Sequence, residues 1–134
     1  MLKLLIIDDH ALFRQGLQYV LDKLEEQVVI LEAADFQQAM QQIADNHDLD
    51  LVLLDLNMPG KDGNATLQVI SKKRPTLPVV IMSASDNPGD IERTLAAGAM
   101  GYISKASSHA EMLNALRQIL SGETYAPPVE ETHY

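Results

Sequence analysis

The chain has 134 residues, enough to bury one hydrophobic core and too few to make two ordinary domains comfortable. Nineteen Asp and Glu against ten Lys and Arg leave a formal charge of -9, which repels a phosphate backbone and attracts cations, so direct nucleic-acid binding is not expected. The lack of cysteine excludes disulfides, thiolate nucleophiles and thiolate metal sites, and fits a reducing cytoplasm.

The opening MLKLLIIDDH is broken by acids too early for a signal or membrane segment. Leu2 to Ile7 carries branched aliphatics without polar alternation, which predicts a parallel strand covered on both faces. From Ala11 to Leu24 the residues Leu12, Phe13, Leu17, Val20, Leu21 and Leu24 recur at three- and four-residue steps, an amphipathic helix. A strand over Val28 to Glu32 follows, and then a helix from Phe36 to about Asn46, capped by Asp35 and burying Phe36, Ala39, Met40 and Ile43.

Leu51 to Leu54 is the most apolar strand, and Asp55 closes it. In the turn NMPGKDG, Pro59, Gly60 and Gly63 fit tight bends; a helix from about Asn64 to Lys73 and a strand from Pro78 to Met82 come next, with Ser83 at the strand's end. Asn87 and Pro88 open a helix to about Ala97 that Gly98 stops, and Met100 to Ser104 forms a fifth strand leading to Lys105. Ser107 or Ser108 caps a last helix bearing Met112, Leu113, Leu116, Ile119 and Leu120, which ends at Gly122. Residues 123–134, ETYAPPVEETHY, lack periodicity and are expected to be a linker or frayed tail beyond a domain of residues 1–122.

Five strand-then-helix units joined by short connections require a parallel sheet with right-handed crossovers and helices on both faces. The expected class is a doubly wound, flavodoxin-like α/β fold; its strand order, 2-1-3-4-5, is taken over from known folds of this size rather than derived from the pattern. In that order the carboxyl ends of the strands bring together Asp8 and Asp9, Asp55, Ser83 and Lys105. Three carboxylates so close repel one another unless a cation bridges them, and an oxygen-only ligand set favours Mg²⁺ or Mn²⁺. Such a site suits phosphoryl chemistry, with one carboxylate left as nucleophile.

LLIIDDH, LVLLDLNMPGKDG, VVIMSAS and GYISKA, in this order at these strand ends, together resemble the response-regulator receiver domain from about Leu2 to Gly122. DDHALFRQGL, and a lysine not followed by proline, are most similar to the NarL/FixJ class. The resemblance implies a phosphoacceptor domain of two-component signalling: Asp55 takes the phosphoryl group, Asp9 binds Mg²⁺ directly, Asp8 partly through water, and the backbone carbonyl of Asn57 completes the protein ligands. It further implies that Lys105 and Mg²⁺ stabilise charge on the transferred group, that Ser83 hydrogen-bonds it, and that Tyr102 moves into space Ser83 vacates, reshaping the face of the fourth helix, fifth strand and fifth helix. Ala106 stands where many receivers have proline, and a cis bond before it would cost roughly 3 kcal/mol.

The partners so implied are a histidine kinase or phosphotransfer protein, and a second copy of the chain once phosphorylated. A helix-turn-helix DNA-binding domain usually follows such receivers, so a truncated transcriptional regulator is expected, with a stand-alone receiver as the alternative, and with no enzymatic turnover of an external substrate and no membrane contact. Two other readings compete. A haloacid-dehalogenase-type enzyme would carry its Asp nucleophile after the first strand with a second Asp two residues on, whereas Asn57 stands two residues after Asp55. A flavin or nucleotide binder would want Gly, Ser or Thr after the first strand, where DDHAL stands. His10, His47, His109 and His133 show no ligand spacing on one helix face and read as surface residues.

Overall fold

The computed structural model describes residues 1–58, 62–85 and 87–127. Pro59 and Gly60 of the turn, Lys61, Asp86, and residues 128–134 with His133 lie outside the described residues.

Strands and helices alternate as β1 (Leu2–Ile7), α1 (Ala11–Leu21), β2 (Val28–Ala33), α2 (Phe36–Asp45), β3 (Leu51–Asp55), α3 (Gly63–Lys73), β4 (Val79–Ser83), α4 (Pro88–Ala96), β5 (Gly101–Ser104) and α5 (His109–Leu120). All the strand pairs are parallel, in the order β2-β1-β3-β4-β5. The order reverses between β1 and β3, which opens a crevice at their carboxyl ends.

The unbroken apolar runs are explained by burial on both faces. Leu5, Ile7, Val52, Leu54, Val79, Ile81 and Tyr102 point to the layer of α2, α3 and α4, where Ala39, Ile43, Leu67, Ile70 and Ile91 meet them. Their alternate neighbours Leu4, Ile6, Leu51, Leu53, Val80, Met82 and Ile103 pack against Leu17, Val20 and Leu21 of α1 and Met112, Ala115, Leu116 and Ile119 of α5. Burying one such aliphatic side chain stabilises the fold by roughly 1.5–3 kcal/mol.

Several boundaries differ from the sequence reading. α1 stops at Leu21, with Asp22 as its C-cap, so Leu24 packs from a turn instead of a helix. Leu12 is 82% exposed, because it precedes Leu17 by five residues and so lies about 140° round the helix from it. Phe36 and Met40 are only partly buried on α2. On α5, Ala115 joins the core while Leu120 turns outward. β4 begins after Pro78, which has no N–H for the ladder.

Local chemistry fixes the remaining junctions. Asp35, Asp62 and Asn87 accept backbone N–H bonds as N-caps of α2, α3 and α4, and Ser108 forms a reciprocal capping box with Glu111 on α5. Gly63 opens α3 because a Cβ there would stand 2.6 Å from the backbone of Leu56; its own N–H donates to Leu56 O at 3.0 Å. Gly98, at φ +107°, ends α4 in the left-handed region. Past α5 the chain turns back along the free edge of β5, where Tyr102 N–H donates to Tyr125 O and Tyr125 N–H to Met100 O.

Candidate functional site

The crevice collects side chains from the ends of β1, β3, β4 and β5. Asp8 and Asp55 are almost fully buried, at 2% and 3% exposure, while Asp9 stands at the rim. Their placement follows from the strand register, which sets Ile7 beside Leu54 and Asp55 beside Met82.

Asp8 divides its oxygens between two neighbours. Oδ1 accepts the backbone N–H of His10 at 2.9 Å and faces His10 Nδ1 at 3.1 Å, and Oδ2 lies 2.7 Å from Lys105 Nζ. The carbonyl of Asp8 accepts from the Arg14 guanidinium, which also pairs with Glu32. Asp55 is less satisfied: Oδ1 accepts Asn57 N–H at 3.2 Å, whereas buried Oδ2 has no hydrogen-bond partner and lies 3.5 Å from Lys105 Nζ. Loss of hydration raises the Asp55 pKa, and the charge of Asp8 adds to the rise, while the Asn57 N–H and the Lys105 ammonium oppose it without reversing its direction.

The Lys105–Ala106 bond just past β5 is not cis, and the Lys105 N–H donates to Ser83 O at 2.7 Å. The Lys105 ammonium also sits 4.4 Å above the Phe13 ring, which braces the stem between α1 and the acids. The Ser83 hydroxyl, fully buried, accepts Ser85 N–H at 3.0 Å. The Tyr102 ring is fully buried in the α4 layer, and its hydroxyl donates to Ser85 O at 2.5 Å.

The residues singled out in the sequence thus fall into two groups. Asp8, Asp9, Asp55, Lys105 and the Asn57 backbone share the crevice. Ser83 and Tyr102 lie beside it and are tied to the β4–α4 connection. Three residues enter that the sequence reading passed over: Phe13 beneath Lys105, Arg14 on the Asp8 carbonyl, and His10, read as a surface residue. His10 is 65% exposed, yet its Nδ1 lies among the acids. Donor atoms of Asp8, Asp9, His10 and Asp55 all stand within 4.8 Å of one another. The only signal for His10 was its place directly after Asp8-Asp9, at the N-cap of α1.

The donor set suits a hard divalent cation. Among the described residues, three carboxylates face one ammonium, and Asp55 Oδ2 is a buried acceptor with no hydrogen bond, whose one positive neighbour, Lys105 Nζ at 3.5 Å, sits closer to Asp8.

Comparison with known proteins agrees with this geometry. Residues 4–117 match the response regulator receiver domain. The chain is 41% identical over 128 residues to the glycerol metabolism activator of Pseudomonas putida, covering 96% of this chain and 58% of that protein. It is 36% identical over 120 residues to the nitrate/nitrite response regulator protein NarL of Escherichia coli K12, covering 90% and 55%. The chain therefore spans little more than half the length of these relatives. The signal receiver domain of the putative response regulator NarL from Mycobacterium tuberculosis superposes with a TM-score of 0.79 at 32% identity, over 91% of this chain and 98% of that one. With strand order, site and relatives in agreement, the chain belongs to the response regulator receiver domains of two-component signalling.

Proposed function

We propose that Asp55 is the residue on which this receiver accepts its phosphoryl group, in a reaction that requires Mg²⁺ or Mn²⁺. The observation that carries this reading is Asp55 Oδ2, a buried carboxylate oxygen without a hydrogen bond in a cleft of like charge. Asp9, Asp55 and the backbone carbonyl of Asn57 would hold the ion, with Asp8 behind them through water. When bound, it neutralises the acids and the charge of the incoming phosphoryl oxygens.

The chain's own groups do the positioning. Asn57 N–H holds Oδ1 and fixes the carboxylate plane, so Oδ2 is presented to the donor. That oxygen forms the new P–O bond while the bond from phosphorus to the donor breaks, its electron pair leaving with the donor group. Lys105, 3.5 Å from Oδ2, offers its ammonium to the equatorial oxygens. Ser83 would rotate its hydroxyl from Ser85 N–H toward the new phosphoryl group.

The Ser83 movement frees the segment that Tyr102 holds, and the α4–β5–α5 face changes in consequence. In the present arrangement the Tyr102 ring is buried, so any self-association through this face uses the surface around it. The donor would be a histidine kinase or phosphotransfer protein, the output the control of transcription, and the setting the cytoplasm. Among the described residues no helix is long and apolar enough to cross a membrane.

Acetyl phosphate with Mg²⁺ tests the reading. Intact mass should show one added phosphoryl group on the wild-type chain and none on Asp55→Asn. Labelling of the variant to the same extent would contradict it, and sustained release of phosphate from unrelated esters would favour a phosphatase instead.

A further inference from the structure

His10 is placed in a way that phosphoryl acceptance does not use. As the N-cap of α1 it gives the helix no side-chain hydrogen bond. Its ring turns back instead, setting Nδ1 3.1 Å from Asp8 Oδ1 and 3.4 Å from Asp9 Oδ1. A tetrahedron of metal–ligand bonds near 2.0–2.1 Å has edges of roughly 3.3–3.4 Å, so these two separations already approximate edges of one. Asp8, Asp9, His10 and Asp55 each offer a donor atom within 4.8 Å of the others, and closing the remaining gaps asks most of Asp9 and His10, which lie at the accessible rim.

Hydrogen bonding between imidazole and Asp8 accounts for one of these contacts only. It leaves Asp55 Oδ2, 97% buried as part of its residue, with no hydrogen bond. Charge gives the same indication, since three carboxylates, the Lys105 ammonium and one divalent ion sum to zero. Lys105 can stay where it is, because it engages Asp8 Oδ2 while Oδ1 faces His10. The chemical class of the ion follows from the donors: oxygen alone suits Mg²⁺, whereas an added imidazole nitrogen favours a borderline transition ion such as Zn²⁺ or Co²⁺.

We propose that Asp8, Asp9, His10 and Asp55 form a four-ligand site for a divalent transition ion, in competition with Mg²⁺, and that His10 supplies its selectivity. A site with four protein ligands is closed. Its occupation ties up Asp55 and holds the domain in the unphosphorylated state, a consequence that rests on the phosphoacceptor reading above.

The test uses the full metal-free chain and its exposed-site variant His10→Gln, titrated with Co²⁺, Zn²⁺ and Mg²⁺. Wild type should show the intense visible absorption of tetrahedral Co²⁺, removed by Zn²⁺. In His10→Gln that band should be lost, and the ratio of Zn²⁺ to Mg²⁺ affinity should fall at least about tenfold. An equal ratio in the two proteins, or an unchanged Co²⁺ spectrum, would overturn the site. Mg²⁺-dependent labelling from acetyl phosphate, run on both proteins, separates the two readings. Failure there strikes the phosphoacceptor assignment, while intact labelling with an equal affinity ratio strikes the transition-ion site alone.

Discussion

Ser83 and Tyr102 hold opposite sides of one residue: the Ser83 hydroxyl accepts the N–H of Ser85, and the Tyr102 hydroxyl donates to its carbonyl. The group expected to meet the phosphoryl oxygens and the ring expected to respond are therefore joined through a single peptide segment. Ser85 extends the chain toward α4, since its hydroxyl donates to Asp90 and accepts Asn87 N–H.

This linkage predicts coupled energetics. Tyr102→Phe removes one hydrogen bond and keeps the ring, and should cost about 0.5–1.5 kcal/mol in urea unfolding. Ser83→Ala leaves the Ser85 N–H without its acceptor and should cost a similar or larger amount. Because both act on Ser85, the double variant should depart from additivity by more than about 0.5 kcal/mol. Strict additivity would mean that Ser85 does not connect them.

Asp55 gives the pH dependence its sign. Burial raises its pKa in the folded state above the unfolded value of 3.8, so the folded protein keeps this proton longer than the unfolded chain does. The stability that Asp55 allows is thus fully present below the unfolded pKa and falls as pH rises through the folded one. Without metal, Asp55→Asn should be more stable than wild type near neutral pH, and the advantage should shrink toward about pH 4. Thermal unfolding of the two proteins in chelator across that range checks it; an advantage that grows on acidification would reverse the assignment.

The first turn of α3 should tolerate little. Gly63→Ala would bring a Cβ to 2.6 Å from Leu56 Cα and O and 2.9 Å from Asp55 O, all backbone atoms that cannot swing aside. A cost at or above the usual 1–3 kcal/mol for overpacking is expected, together with weaker Mg²⁺ binding because Asp55 is displaced. Urea unfolding and a Mg²⁺ titration measure the two effects, and wild-type values in both would show that the loop relaxes freely.

What the sequence revealed follows from which forces are local. Strand runs such as LVLLD and caps such as Asp35 and Ser108 announce themselves through residue type and spacing, and the parallel α/β class follows from their alternation, whereas the strand order that gathers the acids into one crevice came from known folds of this size. Rotational position on a helix is less legible where both layers are apolar, hence the exposure of Leu12 and the burial of Ala115. Contacts that depend on tertiary approach left no sequence signal: Lys105 over Phe13, Gly63 against Leu56, and Tyr125 bridging the β5 edge. His10 is the surface residue its sequence suggested, at 65% exposure, but its closeness to Asp8 and Asp9 was not legible because those partners precede it on the adjoining strand end instead of sharing a helix face with it.

The most direct measurement is the position of the phosphoryl bond itself. Protein treated with acetyl phosphate and Mg²⁺ is reduced with borohydride, which converts an acyl phosphate to an alcohol, and the peptides are sequenced by mass spectrometry. Reduction at Asp55, and its loss when Mg²⁺ is chelated, is the predicted result; reduction at another acid with Asp55 intact would contradict the account.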